Sequence, residues 1–195
     1  MVVVKDEIRT QIVSVASKIF SRYGFKKTTM EEIAAASRKG KSSIYYYFKS
    51  KEEIFNAVVE KEAEELREEL ISTLNSCSTP MEKLKAYVLF RLHNVRTMAN
   101  FHAALKQEYF SQMDFIIKIR KEFDRDELNV VRGILEAGIR EGAFLINDPE
   151  IGAIAISTMM KGLEVPLFLN KERKEDREKL LDDLIKVIFY GLIKR

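Results

Sequence analysis

Apolar residues recur along this chain at intervals of three and four. Ile8, Ile12, Val15 or Ala16, Ile19, Phe20 and Tyr23 line one side of a helix expected over 5–23, which Gly24 stops. Thr28 or Thr29 can cap a second helix, since each has a glutamate three residues on, Glu31 or Glu32. Met30, Ile33 and Ala34 give that helix an apolar face, and Gly40 suits a tight turn after it. A third helix is expected over 41–48. Ser50, with Glu53 as partner, caps a long helix over 51–74, carrying Ile54, Phe55, Val58, Leu66, Leu70 and Leu74. After a polar break at 75–79, Thr79-Pro80-Met81-Glu82 opens a helix that carries Leu84, Tyr87, Val88, Leu92 and Val95. Further helices are expected near 101–110, over 114–140, over 148–169 and from 175 to the end. No segment alternates with the period of a strand, and no internal repeat is visible. The fold class is all-α.

The third helix is unusual. At about 100° per residue, Ile44 and Phe48 share a face suited to burial. Ser42 and Tyr46 then lie nearly opposite, with Ser43 and Tyr47 on one flank and Lys41 and Tyr45 on the other. Three consecutive tyrosines are too polar for a core. A hydroxyl-rich outer surface flanked by phenols and ammonium groups suits a helix in a DNA major groove, with bases ahead and phosphates on both sides.

The run Gly24-Phe25, Thr28-Thr29-Met30, Ile33-Ala34, Ile44-Tyr45-Tyr46-Tyr47-Phe48 and Ser50-Lys51-Glu52 resembles the DNA-binding domain of the TetR family of bacterial transcription regulators, over about residues 6 to 55. The resemblance implies a three-helix helix-turn-helix domain at 1–50 and a larger helical effector-binding and dimerisation domain at 51–195. Family members usually carry a glycine and a small apolar residue in the turn; Arg38 and Lys39 stand there in this chain, and Gly40 follows two places late.

Charge distribution agrees with a nucleic-acid partner. Residues 1–51 hold 11 Lys and Arg against 4 acids, a surplus of +7, so the rest of the chain carries −4 of the net +3. Expected phosphate contacts are Lys39, Lys41, Tyr45, Tyr47, Lys49 and Lys51, with Thr28 or Thr29 at a helix start. Ser42, Ser43 and Tyr46 are expected to face bases.

The last two helices are unusually apolar. Ile151, Ile154, Ala155, Thr158, Met159 and Gly162 on one, with Leu184, Ile188 and Leu192 on the other, suit a two-fold four-helix interface in a homodimer, which the resemblance also implies. Two reading helices on a two-fold axis would select a palindromic operator. The centre of the chain is rich in large soft side chains. Tyr87, Met98, Phe101, Tyr109, Phe110, Met113, Phe123 and Met159, with Arg91, His93 and His102 among them, could line a pocket for a lipophilic effector, in the region where the family encloses one. An anionic group on that effector would meet Arg91.

Other function classes fit poorly. His93 and His102 lack metal-ligand spacing, and no glycine-rich loop follows a strand, so neither an enzyme, a metal site nor a cofactor is expected. One cysteine, Cys77, excludes an internal disulfide and fits a reducing cytoplasm. The remaining alternative, a helical interaction or membrane-surface module without DNA binding, leaves Tyr45 to Tyr47 unexplained. The expectation is a ligand-responsive regulator, more a repressor than an activator.

Overall fold

The computed structural model of the chain describes residues 2–94 and 114–169, together with 183, 186 and 187. Among these, seven long or short helices follow one another. They are α1 (Val2–Tyr23), α2 (Met30–Ala36), α3 (Lys41–Tyr47), α4 (Lys51–Asn75), α5 (Pro80–Asn94), α6 (Asp114–Arg140) and α7 (Pro149–Leu169). The expected helix near 101–110 lies outside the described residues, as does the one from 175 onward except at 183, 186 and 187, which are helical.

The chain divides into two compact units, Met1–Leu66 with Met98–Lys121, and Arg67–Thr97 with Glu122–Arg195. A domain break was expected at 50, but the first unit runs on to Leu66. The reason is burial: Ile54, Phe55, Val58 and Val59 of α4 are at 2% exposure or less, so the start of that helix is core to the small unit.

In the first unit, Ile12, Ala16 and Phe20 of α1 and Ile33 of α2 are buried, as are Ile44 and Phe48 at α3. The rings of Phe20, Phe25 and Phe55 meet at centroid distances of 5.0–5.7 Å. Each buried Ile or Phe contributes about 1.5–3 kcal/mol by leaving water. Ser17 Oγ on α1 donates to Glu62 Oε1 on α4 at 2.8 Å. Gly24 ends α1 in the left-handed region, φ 81°, with its N–H on the Phe20 carbonyl at 2.8 Å.

In the second unit, Leu74, Leu84, Tyr87, Val88 and Leu92 pack with Val131, Ile134, Leu135, Ala153 and Met160. Caps set the helix limits. Thr79 Oγ1 accepts from the Glu82 N–H, while Glu82 accepts from the N–H groups of Ser78 and Thr79 at 2.9 and 3.1 Å. Those backbone bonds hold the Glu82 carboxyl below its ordinary pKa. Asp148 Oδ1 accepts from the N–H groups of Glu150 and Ile151 at the start of α7. No helix among the described residues is long and apolar enough to cross a membrane.

Candidate nucleic-acid interface

The reading surface is built from the end of α2, the turn and α3. Thr29, not Thr28, caps α2: its Oγ1 accepts from the Glu32 N–H at 3.2 Å, and Glu32 Oε2 accepts from the Thr29 N–H at 2.8 Å. Thr28 is 1% exposed, and its hydroxyl donates to the Gly24 carbonyl at 2.9 Å. Its side chain therefore faces inward, which removes it as a phosphate contact.

The turn closes as a Schellman motif. The Arg38 N–H meets the Ala35 carbonyl at 3.1 Å and the Lys39 N–H meets the Ala34 carbonyl at 3.0 Å. Arg38 takes the left-handed position, φ 54°, and is the one non-glycine residue among those described with positive φ. So an arginine holds the left-handed turn position that a glycine would take without a Cβ penalty. Gly40 then serves as the N-cap of α3, extended and without any side-chain cap.

In α3, Ile44 is fully buried and Phe48 nearly so, with the Arg9 guanidinium 5.1 Å from the Phe48 ring centroid. Opposite them, Tyr46 is 61% exposed and Ser42 is exposed. Tyr45 and Lys41 are exposed on one flank, and Ser43 and Tyr47 are half-buried on the other. The Tyr46 and Tyr47 rings meet edge to face at 5.1 Å. Lys41 Nζ pairs with Glu31 Oε1 at 2.5 Å, which raises the lysine pKa and lowers that of the glutamate. A phosphate would have to take Lys41 from that carboxylate. Lys49 is exposed, with Nζ on the Tyr45 carbonyl at 3.3 Å, and Lys39 is half-buried.

Lys51 is placed differently from the phosphate contact expected of it. Its Nζ donates to the carbonyls of Phe25 at 2.9 Å and Thr28 at 2.8 Å and sits 4.3 Å from the Phe25 ring centroid. It clamps the start of α4 to the segment that leads into α2.

Two family models match the chain. One, described as bacterial regulatory proteins of the tetR family, covers residues 12–58. The other, described as the C-terminal region of QacR-like proteins, covers 62–194. The chain belongs to the TetR family. This TetR-family member is therefore a helix-turn-helix transcription regulator that binds DNA. It is 24% identical to the regulator QacR of Staphylococcus aureus over 189 residues, covering 96% of this chain and 99% of that protein. A transcriptional regulator from Cytophaga hutchinsonii is 31% identical, with TM-score 0.74, over 91% of this chain and 92% of that one. The regulator FadR of Bacillus subtilis, solved in complex with stearoyl-CoA, shares the fold at 20% identity and TM-score 0.74, over 94% of this chain and 99% of that one.

The effector residues named from sequence fall into three groups. Met98, Phe101, His102, Tyr109, Phe110 and Met113 lie outside the described residues. His93 and Met159 are exposed. Tyr87 and Arg91 are buried, but with each other's company: Arg91 Nε lies 2.9 Å from Glu127 Oε1, and the Tyr87 hydroxyl donates to the same oxygen at 2.6 Å. Phe123 lies 5.5 Å from the guanidinium. Arg91 thus has an internal counter-charge, which corrects its assignment to an anionic effector group. Glu127 went unnoticed because 36 residues separate it from Arg91.

On α7, Ile151, Ile154, Ala155, Thr158, Met159 and Gly162 are all exposed, with Ile151 at 66%, while Ala153, Ser157 and Met160 face the core. Leu184, Ile188 and Leu192 lie outside the described residues. Among those described, no three His, Cys, Asp or Glu side chains gather as metal ligands.

Proposed function

We propose that this protein is a cytoplasmic repressor that binds a palindromic operator as a homodimer and is released by a lipophilic effector. The observation that carries the reading is α3: Ile44 and Phe48 anchor it, and Ser42 and Tyr46 point away from the core. In this role Ser42, Ser43 and Tyr46 meet base edges. Lys39, Lys41, Tyr45, Tyr47 and Lys49 meet phosphates, and Thr29 contributes from the start of α2. The apolar outer face of α7 supports pairing of two copies, because large exposed aliphatics at Ile151, Ile154 and Met159 are costly in water. The solved complex of FadR with stearoyl-CoA supports a lipophilic effector class. An effector releases the operator only if it binds one spacing of the reading heads better than the other. Here α4 is the element that would carry the change, since its start belongs to the reading unit and its end to the other.

The test is selection of genomic fragments by the purified protein, followed by binding of the selected duplex and its scrambled version. A palindromic consensus and a two-fold complex are expected. Tyr46→Ala should change the selected sequence more than the salt dependence; an unchanged consensus would remove Tyr46 as a base reader. Retention of the operator in the presence of a panel of acyl and aromatic ligands, none of which raises the melting temperature, would count against the effector.

A further inference from the structure

A recess of about 510 Å³ opens in the first unit between α1 and α2. It is lined by Lys18, Ile19, Arg22, Tyr23, Lys27, Glu32 and Ala36. Three cations therefore converge on one small space. Among the described residues none of the three is paired with a carboxylate, and Arg22 rests 5.2 Å from the Tyr23 ring centroid. The one acid in the recess, Glu32, is engaged elsewhere: its Oε2 accepts from both the N–H and the hydroxyl of Thr29. Like charges held together without a counter-ion repel one another, and an anion with several oxygens relieves that repulsion.

The location says which anion. Glu31 of α2 pairs with Lys41 of α3, so that side of α2 faces α3. Glu32 and Ala36 lie on the next side and face the recess. The recess thus opens about 100° around α2 from the side that meets α3, an arc of roughly 9 Å on a helix about 10 Å in diameter. With α3 in a major groove about 12 Å wide, a strip at that offset falls over the bounding phosphate backbone, not over base edges. We propose that the Lys18–Arg22–Lys27 recess is a second DNA-backbone contact, taking phosphates that flank the bases met by α3. The inference rests on the placement of α3 given under the proposed function. It assigns the recess affinity and register on the duplex, and no sequence preference.

The experiment measures binding of the full-length protein to its selected operator across a salt series, for the wild type and for a variant with Lys18→Gln, Arg22→Gln and Lys27→Gln together. All three residues are exposed, so the fold is expected to persist; an unchanged helical melt checks it. The variant should show a log–log salt slope shallower by about 0.9 for each phosphate released. Operator and scrambled duplex should weaken by the same factor. A second arm uses an operator trimmed of its flanking base pairs: trimming should weaken the wild type and leave the variant unaffected. An unchanged slope, or equal loss on trimming for both proteins, would overturn the second contact while leaving α3 as reader. If the wild type ignored the duplex at every salt concentration, the placement of α3 would fall, and this contact with it.

Discussion

Replacing Lys51 by alanine separates two roles that one lysine could play. The ammonium donates to two carbonyls, of Phe25 and Thr28, and lies over the Phe25 ring. A hydrogen bond from a charged donor contributes about 1.5–3 kcal/mol when well shielded. A cation over an aromatic face adds about 0.5–1 kcal/mol at an exposed site. Lys51 is only half-buried, so water replaces part of what is lost, and about 2 kcal/mol is a reasonable total. For a chain of 195 residues that unfolds as a unit, this corresponds to roughly 4–8 °C in melting temperature. Thermal unfolding followed by circular dichroism reads that number, and duplex titration at several salt concentrations reads the other role. The expected result is a lowered melting temperature, weaker binding and an unchanged salt slope. An unaltered melt with a slope shallower by about one unit would show a phosphate ligand and refute the clamp.

Arg38→Gly should stabilise the protein by up to about 1 kcal/mol, since glycine takes the left-handed angle without a Cβ penalty; a denaturant midpoint at or below that of the wild type would contradict this. Glu127→Ala should cost about 3–5 kcal/mol by leaving the buried Arg91 charge uncompensated, whereas Arg91→Met with Glu127→Met should be far milder; equal losses in chemical unfolding would mean that the charges matter little. Burial and the nearby Glu127 carboxylate push the Tyr87 phenol above its ordinary pKa. The folded state therefore keeps a proton that the unfolded chain releases above about pH 10, so stability should fall as pH rises past that point. Tyr87→Phe should show a smaller alkaline loss in melts across that range, and an identical decline would remove Tyr87 as its source.

The face of α3 was legible because burial there is decided locally, by two apolar residues four apart. The capping box at Thr79 and the Ser50 cap were legible for the same reason, each being closed within four residues, although Glu53 accepts from the Lys49 N–H and so leaves the box at Ser50 half made. Thr28 and Thr29 could not be told apart, since both have a glutamate at the right distance. The choice depends on the left-handed Gly24, whose carbonyl accepts from Thr28 and turns that side chain inward. Lys51 and Arg91 were misassigned because their partners are remote in sequence. A cation beside an apolar helix carries no sign of whether a phosphate, a carbonyl or a buried carboxylate will meet it. The extent of the first unit was hidden likewise, because Ile54 to Val59 look the same whichever core they enter.

The brevity of α3 has a consequence for how DNA recognition ends on heating. Seven residues are too few to stay coiled on their own in water, and Gly40 gives no side-chain cap, so the helix is ordered only by the wall against which Ile44 and Phe48 rest. Its amides should exchange with deuterium no later than those of Phe20 and Phe55 behind it. Recognition of the operator would then be lost no later than the scaffold melts, because the reader cannot stay coiled once its wall has gone.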